Sequence, residues 1–344
     1  MDTTAKATGT AFDLSVATNV GAAVALNVAT ITNQATIGSG AEIAAAGITV
    51  EAVLRSGESH DFAAWALAAG GGKDTGAAGA VAVNVVIAET TASIGAHAQI
   101  DSSGAIVISG NTTTTLQTVA GGAGIGQKAG IGAAVAVNVI TVTTLAFIGA
   151  GARIDGSEAL SLSADSSLTP LDGDLPLDPM SVAAGAGASS GKVGIGGSVV
   201  VNVFLLETQA YIDDGALVNT LAAPGTNQGV SVHAEDVTRI VSGAGGLGAA
   251  TEQLGLGAGI DVAVLDKETR AFIGQNATVK ADRDITLEAI SEEQVLSIAV
   301  AGGFGGRVGI AGSVSVYVPS TTTVATIEGG PSLGSSVRAG GDLT

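Results

Sequence analysis

One ten-residue phrase returns along the chain, and it constrains the fold more than any other feature. GAAVALNVAT at 21–30 comes back as GAVAVNVVIA at 79–88, GAAVAVNVIT at 132–141 and GSVVVNVFLL at 197–206. Two looser copies follow, GAGIDVAVLD at 257–266 and GSVSVYVPST at 312–321. With the Asn as anchor, the copies fall at Asn27, Asn84, Asn138, Asn202, Ala263 and Tyr317, spaced by 57, 54, 64, 61 and 54 residues. Such self-similarity marks a stacked architecture whose unit cannot bury its apolar face alone. Residues 1–344 therefore read as a single array of six units, each about 58 residues long.

Each unit divides into four segments. The anchor segment alternates at period two, as in Val135, Val137 and Val139 against Ala136 and Asn138, which is a strand pattern. A polar corner is expected next, at Glu89-Thr90-Thr91 or Lys267-Glu268-Thr269. An A-x-I-G segment follows, for example Ala146, Ile148 and Gly149. The third segment reads I-x-V-x-A, as in Leu160, Leu162 and Ala164, and the fourth is Gly-rich, as in VAGGAGIG at 119–126. Length variation is confined to 168–179 and 215–229, which read as loops inserted into a constant frame.

Dense Val, Ile and Thr with 52 Gly oppose helix. The expectation is an all-β, elongated β-solenoid in which stacking buries the Val and Ile rows; an antiparallel Gly/Ala-rich stack is the alternative. Whether a unit is one wide rung or about three rungs of roughly 20 residues stays open. The near-palindrome at 121–135 favours a hairpin and a wide rung. An outer-membrane barrel is the rival topology, but nine aromatic residues cannot furnish two interfacial girdles.

The formal net charge of −18 leaves no basic footprint, so nucleic acid is excluded as a partner and membrane insertion is not expected. With no Cys there is no disulfide framework. The sequence closes in mid-pattern at GGDLT, which reads as a segment of a larger protein.

The phrase GIGAAVAVNV (130–139), followed by AFIGAGARI (146–154) and the L-x-L-x-A of Leu160, Leu162 and Ala164, resembles repeats of giant bacterial secreted proteins, the leukotoxin-like filamentous adhesins above all. The resemblance covers nearly the whole chain. It implies an extracellular or cell-surface location, adhesion or matrix building, and no catalytic motif. The leading expectation is thus a non-catalytic structural or spacer segment of a large adhesin or extracellular fibre. Its partners are neighbouring repeats of the parent protein or other copies stacked end to end. The alternatives are a module binding glycan or a host surface, and a β-helix enzyme degrading polysaccharide.

Three sets of residues are candidates. Asn27, Asn84, Asn138 and Asn202 can pair amide to amide in a structural ladder. Lys73, Lys128, Lys192 and Arg307 recur ten or eleven residues before the anchor, so they share one edge, either an anion- or glycan-binding stripe or a solubilising one. Asp172, Asp174 and Asp178 in the 168–179 insertion resemble the start of a calcium loop but lack EF-hand spacing and its closing Glu. Calcium is the one cofactor considered; no other is expected. His60, His97 and His233 lie far apart without a zinc spacing, and His233 reads as solvent-facing. No G-x-S-x-G context or phosphate loop is present.

Overall fold

The computed structural model describes residues 1–171, 178–221, 227–329 and 334–344. Among them every element is a strand, and every strand pair is parallel. The architecture is a β-solenoid of three sheets; the antiparallel alternative is excluded. Sheet A contains β1 (Asp2–Asp13), β4 (Ile48–Ala52), β5 (His60–Gly72), β8 (Ile106–Gly126), β11 (Leu160–Pro170), β12 (Ser181–Ser189), β15 (Val230–Ala250) and β18 (Ile285–Gly305). Sheet B stacks β2 (Thr18–Ile37), β6 (Thr75–Ile94), β9 (Ala129–Ile148), β13 (Val193–Ile212), β16 (Leu254–Ile273) and β19 (Val308–Ile327). The short sheet C stacks β3 (Glu42–Ala45), β7 (Gln99–Ser102), β10 (Arg153–Gly156), β14 (Leu217–Val218), β17 (Thr278–Ala281) and β20 (Ser336–Ala339).

The chain runs along sheet A, folds back along sheet B and returns through sheet C. Equivalent residues stand in register: Asn27 beside Asn84, then Asn138, Asn202, Ala263 and Tyr317. One circuit is therefore one wide rung. This corrects the elongated shape expected above. A 20-residue strand extends about 66 Å, whereas six strands at about 4.8 Å spacing stack through only about 24 Å. The described chain is a slab, broadest along its strands.

Three further expectations change for one reason, that the strands are longer than the segments suggest. The anchor and A-x-I-G segments form one strand, so Glu89-Thr90-Thr91 and Lys267-Glu268-Thr269 lie mid-strand and not at a corner. The true corner follows the Ile. Gly40, His97, Gly151, Gly215 and Asn276 occupy it with φ between 58 and 69, the left-handed region that Gly and Asn tolerate best. Leu168–Pro170 are strand, paired with Thr114–Leu116, so the 168–179 insertion begins later than its composition implies. In 215–229, Leu217–Val218 add to sheet C.

The near-palindrome at 121–135 is a β-arch, not a hairpin. β8 and β9 belong to different sheets that face each other through side chains, because their backbone groups are already paired to neighbouring rungs. The facing is very close. A Cβ on Gly132 would overlap the carbonyl oxygens of Ala186 and Gly122, and one on Gly122 that of Ala133. The interior tapers toward this arch. Ile94, Ile100, Ile106 and Ile148 fill the end beside sheet C. Phe62, Leu116, Phe204 and Leu265 fill the middle, and Ala64, Ala80, Ala134 and Ala136 come next.

The Val row faces the other way from expectation. In the half of β9 nearest the arch the buried residues are Gly130, Gly132, Ala134, Ala136 and Asn138, and Val135, Val137 and Val139 point outward. Valine cannot occupy the inward face where the sheets nearly touch, so alternation places it outside.

Alanine at Gly132 is expected to cost about 1–3 kcal/mol or to prevent folding, since backbone cannot yield to the new methyl. Alanine at Gly197, whose added Cβ meets nothing within 4 Å, is expected to leave the melting temperature unchanged or higher. Thermal unfolding by circular dichroism compares the two, and equal losses would refute the close-packed arch.

Candidate functional site

A polar seam runs through the apolar interior between the two long sheets. The four anchors Asn27, Asn84, Asn138 and Asn202 all point inward and are buried. Asn138 Nδ2 donates to Asn202 Oδ1 at 2.8 Å, an amide-to-amide contact. The other links pass through hydroxyls of sheet A. Asn27 Nδ2 donates to Thr3 Oγ1 at 2.8 Å, and Asn84 Nδ2 donates to Thr118 Oγ1 at 2.7 Å. Thr118 in turn donates to Asn138 Oδ1, and Ser181 Oγ donates to Asn202 Oδ1 at 3.0 Å.

The seam continues beyond Asn202, where the anchor is lost to Ala263 and Tyr317. It moves two residues upstream. Asp261 Oδ2 accepts from Ser242 Oγ at 2.6 Å and from Ser297 Oγ at 2.8 Å, and Ser297 shares a 2.6 Å bond with Ser315. Asp261 stands in the column that holds Ala136 and Val200 in the preceding strands. Burial raises its pKa, opposed by the two serine hydroxyls and the Ile298 backbone.

A second inward charge is Lys267, fully buried in β16. Its Nζ lies 2.8 Å from Asp236 Oδ1 and 3.0 Å from Glu293 Oε1, and it donates to the carbonyls of Asp236 and Glu292. Thr208 and Thr238 donate to the same Asp236 carboxylate at 2.8 and 2.9 Å. These bonds supply what a buried ion pair needs, so the lysine ties sheet B to sheet A rather than marking a surface.

On the outer face of sheet A, the in-register pairing of β11, β15 and β18 gathers Asp165, His233, Glu235 and Glu288. His233 Nε2 is 3.5 Å from Glu235 Oε2 and 3.8 Å from Asp165 Oδ1, while Nδ1 is 3.2 Å from Glu288 Oε2. Ser163 Oγ donates to Asp165 at 2.7 Å. Burial raises the Asp165 pKa, against the lowering influence of Ser163 and His233. His233 is thus outward but half-buried among carboxylates. One ligand atom from each of Asp165, His233 and Glu235 lies within 4.8 Å of the other two. This cluster was not legible in the sequence, because 68 residues separate Asp165 from His233 and only the rung period makes them neighbours.

No protein-family model, curated protein or solved structure matches this chain. The sites therefore stand on their own geometry.

Lys73, Lys128, Lys192 and Arg307 all lie exposed at the β-arches between sheets A and B, along one edge. The edge is mixed in sign: Lys128 Nζ is 3.1 Å from Asp74 Oδ1, and Glu252 sits in the arch between those of Lys192 and Arg307. Of the proposed calcium residues, Asp172 and Asp174 lie outside the described residues. Asp178 is half-buried with a φ of 43. The structure does not bring the three histidines together: His60 is buried at the start of β5, His97 occupies a corner, and His233 is on sheet A. On the outside of sheet B, Phe147, Tyr211 and Phe272 stack with centroids 4.9 and 4.6 Å apart, and Arg270 lies over Phe272. Burial, then Asp213 and Glu207, push the Tyr211 hydroxyl up to about 12.

Two variants test the seam. Asn138→Leu removes the acceptor of the Thr118 hydroxyl and one of the two donors to Asn202 Oδ1, and is expected to cost about 1–3 kcal/mol in chemical denaturation; an unchanged midpoint would dismiss the seam. Asp261→Asn tests its charge. A carboxyl whose folded pKa is raised contributes stability below its unfolded pKa and loses it as pH rises through the folded one. The variant is therefore expected to melt above the parent at pH 7 and level with it below pH 4, about the unperturbed carboxylate range.

Proposed function

We propose that this chain is a non-catalytic structural segment of a large exported bacterial surface protein or extracellular fibre, built from six copies of a unit of about 58 residues. The observation that carries this reading is the unbroken register of sheet B, in which each strand pairs with the next over its full 20 residues. Every rung repeats the same columns, so force or bending applied to one is shared through backbone hydrogen bonds with its neighbours. Length variation at 168–179 and 215–229 leaves that register intact, which suits a framework more than a cleft-based catalyst.

The geometry refines the mechanism. A rung of about 58 residues advances the stack by only about 4.8 Å, so this is a poor device for reach and a good one for breadth and stiffness. The segment serves as a wide, rigid slab that continues into further rungs of the parent protein or into other copies at its open strand edges. Within the described residues, β2 and β19 each have a partner on one side only in sheet B.

Small-angle X-ray scattering on the full chain tests this. A flat particle with a largest dimension of about 70 Å is expected, growing along the stack if copies join end to end. A compact sphere would overturn the slab. A parallel screen on acidic polysaccharides, with calcium and with chelator, is expected to show no turnover; turnover would overturn the structural reading in favour of an enzyme.

A further inference from the structure

The outer face of sheet B carries an apolar field that none of the described residues covers. Its columns run across all six strands and are named here by their β9 members: Ile131, Ala133, Val135, Val137 and Val139. All thirty positions hold Val, Ile, Leu, Ala or Gly, and none is buried. At about 6.7 Å between columns and about 4.8 Å between strands, the field measures on the order of 650 Å². The largest apolar patch of an ordinary monomer is about 300–600 Å², and a stable interface covers about 800 Å² per partner. With its margins the field reaches the size of an interface.

We infer that this face is a lateral dimer interface in which a second copy of the chain packs sheet B against sheet B. Three features select that occupant. The first is relief. The Val137 column (Leu26, Val83, Val137, Val201, Val262, Val316) is a continuous ridge, and the Ala133 column (Ala22, Gly79, Ala133, Gly197, Ala258, Gly312) is a continuous groove. A two-fold axis parallel to the stack, set over the Val135 column, lays each copy's ridge into the other's groove. The second is period. Only a surface with the same strand spacing keeps ridge and groove matched over six strands, and another copy has it by construction.

The third feature is charge. The column of Thr143, six residues beyond the ridge and four beyond Val139 on the sheet C side, holds Glu89, Glu207 and Glu268. The same axis carries that column over the partner's arch edge, bringing Glu89 onto Lys73 and Glu207 beside Lys192, two opposite-charge meetings against one like-charge meeting, that of Glu268 with Glu252. An axis perpendicular to the stack would instead oppose the acidic columns to each other. Complementarity therefore selects the parallel two-fold, an isologous closed pair. The inference is independent of the spacer role, because end-to-end growth lengthens the particle and lateral pairing thickens it.

Sedimentation equilibrium and scattering on the full chain test it. The parent is expected to be a dimer with doubled thickness. Val137→Lys with Val201→Lys, both on the outer face, should raise the dissociation constant at least about a hundredfold by placing charges in the field. Gly79→Val with Gly197→Val should do the same by filling the groove, since an added Cβ at either glycine meets nothing within 4 Å among the described residues. Lys192→Glu and Glu207→Lys should each weaken the dimer, and together restore it. Unchanged circular dichroism in the variants separates dissociation from unfolding. A parent that stays monomeric at every concentration would overturn the inference, as would a dimer indifferent to the field variants. A monomer that floats with phosphatidylcholine vesicles would also overturn it, assigning the face to lipid.

Discussion

The rest of the structure depends on the contact between inward glycines of one long sheet and the carbonyl oxygens of the other. Gly122, Gly124 and Gly126 of β8 meet β9 across the arch, and Gly130 and Gly132 of β9 meet β12 in turn. No side chain fits between backbones at that separation. The chain must therefore bury its bulk elsewhere, and it does so at the opposite end, where Ile94, Ile148 and Ile212 pack against the short third sheet. The wedge-shaped interior, the tight arch and the outward valines are three consequences of one steric limit. Valine is displaced to the outside because the inside has no room for a Cβ near the arch.

A tapered apolar interior fixes how far apart the sheets lie but not how they slide past each other. The polar seam supplies that second constraint. Asn84, Asn138 and Asn202 of sheet B are linked to one another and to Thr118 and Ser181 of sheet A, so a shift of one sheet by a residue would strand several buried amides. Asp261 and Lys267 extend the same logic toward the later strands with charges, each held by partners on the facing sheet. Backbone hydrogen bonds set register along the stack, and the seam sets register across it.

Much of this was legible in the sequence and part was not. The anchors marked out one column because repeats that stack in parallel bring equivalent residues side by side, whatever the shape of the rung. Period-two alternation identified strands, but parity alone does not say which face is inward. Val135, Val137 and Val139 are the larger and more apolar set, so hydrophobicity pointed to the wrong face, while the glycines of the same parity as Asn138 carried the correct signal. Lys267 shares that parity, four residues from Ala263, and its polarity disguised it as a corner. Asp165, His233 and Glu235 left no local trace, since their meeting depends on the length of an intervening circuit.

The sequence by itself determined that the chain repeats, that its segments are strands, and that its asparagines recur at one position of the repeat. These follow from covalent spacing and the alternation of side chains along any extended chain; parallel pairing was decided by the structure. Only the tertiary structure decided that one circuit is a single wide rung, that the arch replaces a hairpin, and that a valine field is left facing out. Those outcomes turn on how closely two sheets can approach, a distance set by the absence of Cβ atoms on both sides at once, and no single strand records what lies across from it.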